Sequence, residues 1–419
     1  MGFRRVLFRS VTLLPVLSLL FGVTLAQVSF QNHQVWKVWA QSRNQSEVLH
    51  HLEGLHLVDL WSHVSGDSPA LLSLKSKDAQ FVADTMHAHG IRYSIHSADL
   101  QRMLDQSYSK EDLKNKELEE FNLYKYHTLN EIFQYLNTMV GTHGNFVEIR
   151  TIGHGADHRL PMKVLEIEKP PHDQKANIFI DCGIHAREWV SVSTCLYIIH
   201  MFAEHSKLPH IKSVLDKYRI NILPVFNPDG YDYSWTTNRM WRKNRHRNAG
   251  SPCVGVDLNR NFDIHFGEQS THFPCAESYG GPEANSEPET LAVINYLTSF
   301  TNLTAYFNLH AFSQLWMYPY GYTADPPANA ADLDRISKVA TDAIRNKHGE
   351  DYEYGNIHQV IYAASGSSID YVYDKVGIPY TFVMELRDKG EYGFLLPESL
   401  IKPAVEEAFE GILAAINTL

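Results

Sequence analysis

The feature that most constrains the fold is an apolar run, residues 177–184, that leads directly into the motif His-Ala-Arg-Glu-Trp at residues 185–189. Such a run predicts a buried strand, whose end would hold an imidazole and a carboxylate three residues apart. Zinc is bound in proteins by a few nitrogen and oxygen ligands on a rigid support. The same spacing at His265 and Glu268 lacks the preceding strand and fits a solvated surface. A third ligand must come from elsewhere, and a second β-prone segment supplies His310.

The size and charge of the chain limit its class. With 419 residues and 44% hydrophobic content, the chain can bury a large core in more than one domain. A net charge of -11 and the lack of a basic block argue against a nucleic-acid partner. Residues 1–26 contain three arginines, an apolar run and a terminal Ala26, which predicts a cleaved secretory signal peptide. The alternative is a signal anchor, but the run is shorter than the roughly 20 residues that span a bilayer. We therefore expect a secreted, extracellular protein without a membrane partner.

Four cysteines fit an oxidising compartment. Sequential pairing, Cys182 with Cys195 and Cys253 with Cys275, would close two short loops, each contributing about 3 kcal/mol in the chain-entropy model. The alternative is a zinc–cysteine site, although the sequence contains no Cys-x-x-Cys pair. Two Asn-x-Ser/Thr triplets are candidate glycosylation sites and begin at Asn44 and Asn302.

The chain divides into two regions with different patterns. From residue 31 to about residue 106, candidate strands and helices alternate as βαββαβ, the small α+β ferredoxin-like arrangement: strands at 34–40, 57–64, 71–76 and 92–97, helices at 46–55 and 77–89. A charged stretch, residues 110–120, follows and fits a solvated helix and linker. The remainder predicts an α/β sheet with helices on both faces, from strands at 177–183, 220–224, 306–310 and 380–385 and helices at 190–204, 287–300 and 332–348.

Four segments together resemble the zinc metallocarboxypeptidases of the pancreatic A/B family. They are the 185–189 motif, Val-Asp-Leu-Asn-Arg-Asn-Phe at 256–262, the segment 305–321 around His310, and Phe-Val-Met-Glu-Leu-Arg-Asp at 382–388. The likeness runs in order from about Tyr124 to the C-terminus. It implies a mixed, mainly eight-stranded sheet with helices on both faces, preceded by a ferredoxin-like pro-domain that is cut away. The sequential disulfide pairing also agrees with this family.

On this basis we expect a pro-domain at residues 27–116 and a catalytic domain at residues 117–419. An activating trypsin-like protease is the implied partner, with Lys114 or Lys116 as its target. The chain contains no dibasic pair that marks the cut.

The resemblance also implies a metal site. His185, Glu188 and His310 would bind one Zn²⁺ and leave a position for water, while Asp257 would orient His185. The alternative is that both histidines are core residues whose ring nitrogens hydrogen-bond to other protein groups and bind no metal. A further alternative is a structural zinc protein, which would have four protein ligands around the metal.

Two residues are implied in the chemical step. Glu385 would be the general base toward zinc-activated water, and the alternative from sequence alone is a salt bridge with Arg387. Arg242 would stabilise the oxyanion. From the residues alone it cannot be distinguished from its basic neighbours, Arg239, Lys243 and Arg245.

A further set is implied in substrate binding. Asn259 and Arg260 would bind the terminal carboxylate of the substrate, because a guanidinium can meet a carboxylate with two parallel hydrogen bonds. Tyr362 would close over that carboxylate, with a packed core tyrosine as the alternative. Arg187 and Phe312 are also expected to contact substrate, and Phe312 stands where the family usually has tyrosine.

The pocket for the terminal side chain would have Ile369 at its floor. The other implied wall residues are also apolar: Met317, Ile357, Ile361, Ala364 and Val383. Burying an apolar side chain there gains about 1.5–3 kcal/mol, whereas an unpaired ammonium costs several kcal/mol. We therefore predict release of aromatic or large aliphatic C-terminal residues. A register slip of one residue would place Asp370 in the pocket and reverse this preference.

The resulting prediction is a secreted, monomeric zinc carboxypeptidase that is made as a zymogen and acts on peptide or protein C-termini. One alternative is the same reaction with a basic or polar preference. Another is a catalytically silent peptide-binding homologue, which would have lost a metal ligand or Glu385. The sequence retains all of them.

Overall fold

The computed structural model describes residues 27–62, 69–109, 121–171 and 175–419. The predicted signal peptide and the charged connector with Lys114 and Lys116 lie outside these ranges, so both remain predictions. Within the described ranges, we find no helix with the length and apolarity that a membrane crossing requires.

The N-terminal region has the predicted βαββαβ order. Its described strands form a four-stranded antiparallel sheet in the order β2-β3-β1-β4. The elements are β1 (His33–Trp39), α1 (Arg43–Gly54), β2 (Val58–Leu60), β3 (Ala70–Lys75), α2 (Ala79–Ala88), β4 (Arg92–Ser97) and α3 (Leu100–Ser107). Of the strand predicted at 57–64, the structure forms Val58–Leu60; Trp61 and Ser62 line a cavity of the larger domain, and residues 63 and 64 lie outside the described ranges.

The larger region begins with a well-capped helix. Thr128 and Glu131 form a reciprocal capping box, which satisfies two free backbone donors at this helix start. The elements of the first half are α4 (Leu129–His143), β5 (Val147–His154), β6 (Pro161–Ile167), β7 (Ala176–Cys182), α5 (Trp189–Glu204), α6 (Pro209–Lys217), β8 (Tyr218–Leu223) and α7 (Pro228–Thr236). Those of the second half are α8 (Pro288–Thr298), β9 (Leu303–Ala311), β10 (Leu315–Tyr318), α9 (Ala330–His348), β11 (Glu353–Asn356), α10 (Ile357–Val360), α11 (Ser368–Tyr371), β12 (Tyr380–Leu386) and α12 (Ile401–Thr418).

The described strands of this region form one mixed eight-stranded sheet, in the order β11-β10-β12-β9-β7-β8-β6-β5. The four central strands β12, β9, β7 and β8 are parallel, and antiparallel pairs join β12 to β10 and β8 to β6. The carboxyl ends of parallel strands share one edge, so residues just after β7 and near the ends of β9 and β12 meet there. The predicted fold class is confirmed.

Alternating side chains of the central strands build a core on each face of the sheet. Ile178 and Ile180 pack with one cluster, which includes α5, α9 and α12, while Phe179 packs with the other, which includes α8. Val35 and Leu71 of the N-terminal region belong to the first cluster. The N-terminal sheet therefore packs directly against the larger domain.

The sequence pattern did not indicate several elements, among them the edge strands β5 and β11 and the short strand β10, which pairs with β11 and β12. β5 is largely exposed and β11 has only four residues, so neither carries a strong apolar pattern. Both disulfides have the predicted sequential pairing, Cys182–Cys195 and Cys253–Cys275. Asn44 is exposed, whereas the side-chain amide of Asn302 donates to Lys175 O at 2.7 Å, which favours Asn44 as the glycan acceptor.

Candidate active site

Strand ends bring the three predicted metal ligands together. A left-handed glycine, Gly183 (φ +69°), turns the chain out of β7, and a Cβ there would lie 2.8 Å from Val192. This turn places His185 at the sheet edge and Glu188 at the start of α5. His310 reaches the same point from the neighbouring parallel strand β9. All three side chains are buried, and one ligand atom from each lies within 4.8 Å of the others.

The nitrogens of the two imidazoles have distinct surroundings. His185 Nδ1 and His310 Nδ1 face the Glu188 carboxylate at 2.7 and 3.0 Å. The outer nitrogens contact oxygen acceptors: His185 Nε2 lies 3.1 Å from Asp257 Oδ1, and His310 Nε2 lies 2.6 Å from Asn308 Oδ1. An Nε2–H that donates outward leaves the Nδ1 lone pair facing inward, as a metal ligand requires. The two nitrogens and one carboxylate therefore fit a zinc ion with an open position.

The charges around this cluster favour ionised carboxylates and a neutral His185, whereas the Glu188 carboxylate outweighs burial and raises the pKa of His310. Burial raises the pKa of Glu188, but the two histidines outweigh burial and hold it well below its usual range. Burial and the nearby Arg242 guanidinium lower the pKa of His185, which keeps the imidazole neutral. Burial alone would raise the pKa of Asp257, but Arg242 and His185 outweigh it and hold the pKa of this carboxyl well below its usual value. Ionised carboxylates and neutral imidazole are the forms that bind metal.

Glu385 lies beside this cluster near the end of β12, in register with His310 of β9. The residue is only 9% exposed, and its Oε2 has no hydrogen-bond partner among the described residues. Burial raises the pKa of Glu385 to about 8. The alternative salt bridge with Arg387 is wrong, because Arg387 Nε donates to Glu407 at 2.8 Å.

The structure separates Arg242 from its basic neighbours. Arg242 lines the cavity beside the three ligands, and its Nη2 donates to Asp257 Oδ2 at 2.9 Å. Arg239 lies over the Trp189 ring, Lys243 donates to two backbone carbonyls, and Arg245 lies over aromatic rings.

A short 3-10 turn, Leu258–Arg260, carries the residues predicted to bind a carboxylate. Asn259 and Arg260 line the cavity, as does Tyr362. Arg260 Nη2 donates to the Tyr362 hydroxyl at 2.7 Å, and Asn259 Oδ1 accepts from Ser368 N at 2.9 Å. Tyr362 is therefore at the site rather than in the core. The Arg260 guanidinium has no carboxylate partner among the ion pairs of the described residues.

An apolar compartment of the same cavity lies next to this turn. Ile369 lines this compartment together with Met317, Ile357, Ile361, Ala364 and Val383. Asp370 is turned away: its carboxylate accepts from Gly321 N at 3.0 Å, and burial raises its pKa to about 7. The structure therefore gives no support to the register slip that would place Asp370 in the pocket.

Arg187 has surroundings that the sequence did not indicate. Its guanidinium forms an ion pair with Asp59 of the N-terminal domain at 2.9 Å and donates to Leu60 O at 3.1 Å. It also lies over the Phe394 ring, which packs edge-on against Phe312. Trp61 and Ser62 of the N-terminal domain line the cavity itself. Arg187 thus contacts the N-terminal domain at a position where the sequence predicts a contact with substrate.

The sequence interpretation missed Asp181 and Asn308, which lie behind His310. Asn308 bonds His310 on one side and Asp181 on the other. Each is a polar residue inside an otherwise apolar strand sequence, and a buried polar group without a partner is costly. That interruption of the apolar run was the available signal.

This fold and this cluster fit a metal-dependent enzyme, and comparison with known proteins gives its family. Residues 132–411 match the family described as zinc carboxypeptidase, and residues 36–107 match the family described as carboxypeptidase activation peptide. The chain belongs to the zinc carboxypeptidase family, carries an activation peptide, and is a metallo-exopeptidase hydrolase.

Similar proteins include several carboxypeptidases A. The chain is 39% identical to mast cell carboxypeptidase A of Rattus norvegicus, across 92% of this chain and 94% of the relative. It is 40% identical to carboxypeptidase A2 of Mus musculus, across 96% of this chain and 97% of the relative. The crystal structure of carboxypeptidase A from Helicoverpa armigera matches with a TM-score of 0.86 at 27% identity, across 94% and 98% of the two chains. The predicted family is thereby confirmed, and the chain falls in its A group.

Proposed function

We propose that this zinc carboxypeptidase is a secreted enzyme that releases aromatic or large aliphatic residues from peptide and protein C-termini. One observation carries the proposal: the three-ligand cluster, the Arg260–Tyr362 pair and the apolar compartment around Ile369 share one cavity. A carboxypeptidase needs a contact with the terminal carboxylate beside the reacting bond. An internal peptide bond would leave the Arg260 guanidinium without that partner.

The chemistry is assigned to residues of this cavity. His185, Glu188 and His310 would hold zinc, which when bound supplies Lewis-acid chemistry that polarises a carbonyl and lowers the pKa of water. A cation in that place favours the ionised form of Glu385, which is the form a base needs. Glu385 would then take a proton from the attacking water and deliver it to the leaving amine.

The remaining side chains would position the substrate. Arg242 is held by Asp257 and would donate to the oxyanion, while Asn259, Arg260 and Tyr362 would hold the terminal carboxylate. This leaves the terminal side chain to enter the apolar compartment.

The first test compares substrates. The expressed chain is treated with trypsin and assayed with matched peptides that end in Phe, Leu, Lys or Glu, with and without a chelator. We expect Phe and Leu to be released at least about 100-fold faster than Lys, because an unpaired ammonium in the apolar compartment costs several kcal/mol. The chelator should abolish the activity and zinc should restore it. If no C-terminal residue is released after the pro-domain is removed, the proposal fails.

Ile369→Asp tests the specificity assignment separately. A carboxylate at the pocket floor should lower kcat/KM for C-terminal Phe by about 10- to 100-fold and raise that for Lys, since burial of a charge is tolerated when it is paired. Ile369→Val, which keeps the pocket apolar, is the matched control and should retain the preference for Phe. An unchanged Phe-to-Lys ratio in Ile369→Asp would show that Ile369 does not read the terminal side chain.

We further propose that the pro-domain inhibits the enzyme through its contacts with Arg187 and the cavity. The Arg187 side chain is 1% exposed and pairs with Asp59, so removal of the Asp59 charge leaves a buried guanidinium without its partner. Asp59→Asn should therefore raise the concentration of isolated pro-domain that inhibits the activated enzyme by about 10- to 100-fold. Asp84→Asn, on the exposed surface of α2, is the control and should inhibit like the natural pro-domain. Equal inhibition by Asp59→Asn would contradict this role.

Secretion rests on the signal-like segment and the two disulfides. Expression in cultured animal cells should deliver the proenzyme to the medium with Gln27 as its first residue. N-terminal sequencing of the secreted protein checks this. Retention in the membrane fraction with residues 1–26 attached would support the signal anchor instead.

A further inference from the structure

A series of buried, hydrogen-bonded side chains extends from His310 away from the three-ligand cluster. His310 Nε2 lies 2.6 Å from Asn308 Oδ1, Asn308 Nδ2 lies 2.5 Å from Asp181 Oδ1, and the Tyr306 hydroxyl donates to Asp181 Oδ2 at 2.7 Å. Asp181, Asn308 and Tyr306 are all 0% exposed. These residues lie on β7 and β9, two central strands that pair in parallel with Asp181 in register with Asn308.

Asp181 is energetically unfavourable in this position. A buried carboxylate is costly unless it is paired, and no lysine or arginine forms an ion pair with Asp181 in the part of the chain that the structure describes. Its hydrogen-bond partners are the Asn308 amide and the Tyr306 hydroxyl. Burial accordingly raises the pKa of Asp181 to about 6. Two apolar residues at positions 181 and 308 would satisfy the core without this cost.

The order of donors and acceptors is determined from the carboxylate outward. An ionised Asp181 can only accept, so Asn308 must turn its NH₂ group toward Asp181 and its carbonyl oxygen toward His310. That carbonyl can also only accept, so His310 must carry its proton on Nε2. In the neutral imidazole, His310 Nδ1 then presents a lone pair toward the three-ligand cluster. Asn259 Nδ2 also lies near Nε2, but at 3.5 Å it is the weaker contact.

We propose that Asn308 and Asp181 are positioning residues for the metal site: Asn308 sets the tautomer and orientation of His310, and Asp181 sets the orientation of Asn308. The role corresponds to that of Asp257 behind His185, although here a neutral amide contacts the imidazole and the charge is one residue removed. This inference rests on the proposed zinc site. It predicts that both residues control metal affinity without touching metal or substrate.

The primary test measures zinc affinity of the purified full-length proenzyme by competition with a chromophoric chelator. Asn308→Ala should weaken zinc binding by about 10- to 100-fold, the range found when partners of ligating histidines are removed. The matched control is Asn221→Ala on β8, since Asn221 is an equally buried amide that bonds Asn177 and Ile178 O. Asn221→Ala should lower the Tm of the zinc-free protein while keeping zinc affinity within about threefold of wild type.

Exchanging the two residues gives a second test. Unlike truncation to alanine, the exchange leaves no empty space in the core. Asp181→Asn alone removes the acceptor that orients Asn308, and Asn308→Asp alone sets two carboxylates against each other, so each should weaken zinc binding. The double variant Asp181→Asn/Asn308→Asp restores one amide and one carboxylate in hydrogen-bond contact, with an acceptor still facing His310. It should therefore recover most of the lost affinity.

The outcomes separate this inference from the proposed function. Wild-type protein that binds no zinc contradicts the metal site itself. Wild-type protein that binds zinc while Asn308→Ala binds equally well overturns the positioning role alone. A double exchange that binds no better than the weaker single variant overturns it as well, even if the single variants are poorly folded.

Discussion

Glu385→Gln is expected to lower kcat by at least about 10²- to 10⁴-fold, with KM little changed. The amide has nearly the shape of the carboxylate but cannot take a proton from water. The residue is buried at the strand end, and its Oε2 has no hydrogen-bond partner among the described residues. The other carboxylate among the described residues that line the cavity is Glu188, which belongs to the proposed metal site. Steady-state kinetics on a peptide ending in Phe, with zinc content measured on the same sample, checks the prediction.

The matched control is Glu353→Gln. Glu353 and Glu385 both lie opposite Leu315, on the two sides of β10, but Glu353 is exposed at the sheet edge. This control should keep wild-type kinetics. Substantial residual activity in a zinc-loaded Glu385→Gln enzyme would remove Glu385 from the role of general base.

Arg260→Ala should lower kcat/KM for peptides with a free C-terminal carboxylate by about 30- to 5,000-fold, corresponding to a loss of 2–5 kcal/mol when one partner of a buried charge pair is removed. The effect should be specific to the carboxylate. The natural enzyme should discriminate strongly between a peptide acid and the same peptide with a C-terminal amide, and Arg260→Ala should lose that discrimination. Measuring kcat/KM for both peptides with both enzymes isolates the interaction.

Arg247→Ala is a suitable control, because the Arg247 side chain is 84% exposed and pairs only loosely with Asp157, at 3.5 Å. It should discriminate between acid and amide as the natural enzyme does. If Arg260→Ala is folded, binds zinc and still prefers the acid to the amide, another residue recognises the carboxylate.

Much of the site was predictable from local sequence. His185, Glu188 and His310 each follow or end an apolar run, and strand ends of a parallel sheet share one edge, so their meeting follows from local patterns and a general rule of topology. The roles of the surrounding residues Asp257, Glu385 and Arg242 came from the resemblance to the family. The order βαββαβ of the N-terminal region was also predictable from the sequence, and the observed elements follow it.

Choices among similar residues were not predictable from local sequence. Arg242 stands among three other basic residues within seven positions, and their different surroundings come from distant elements such as Trp189, Pro274 and Tyr233. Ile369 and Asp370 are adjacent, and which of them faces the cavity depends on the hydrogen bond from Gly321 N to Asp370.

The sequence by itself determined where polar groups interrupt apolar strands, and hence which side chains arrive at the sheet edge. The tertiary structure alone decided which of these groups contact each other: Asp59 with Arg187 across two domains, Arg387 with Glu407 rather than Glu385, and Asp181 with Asn308 behind His310. The physical reason is that burial and hydrogen bonding depend on contacts between residues far apart in the chain. A local pattern records that a buried polar residue needs a partner, and the packing of the strands supplies it.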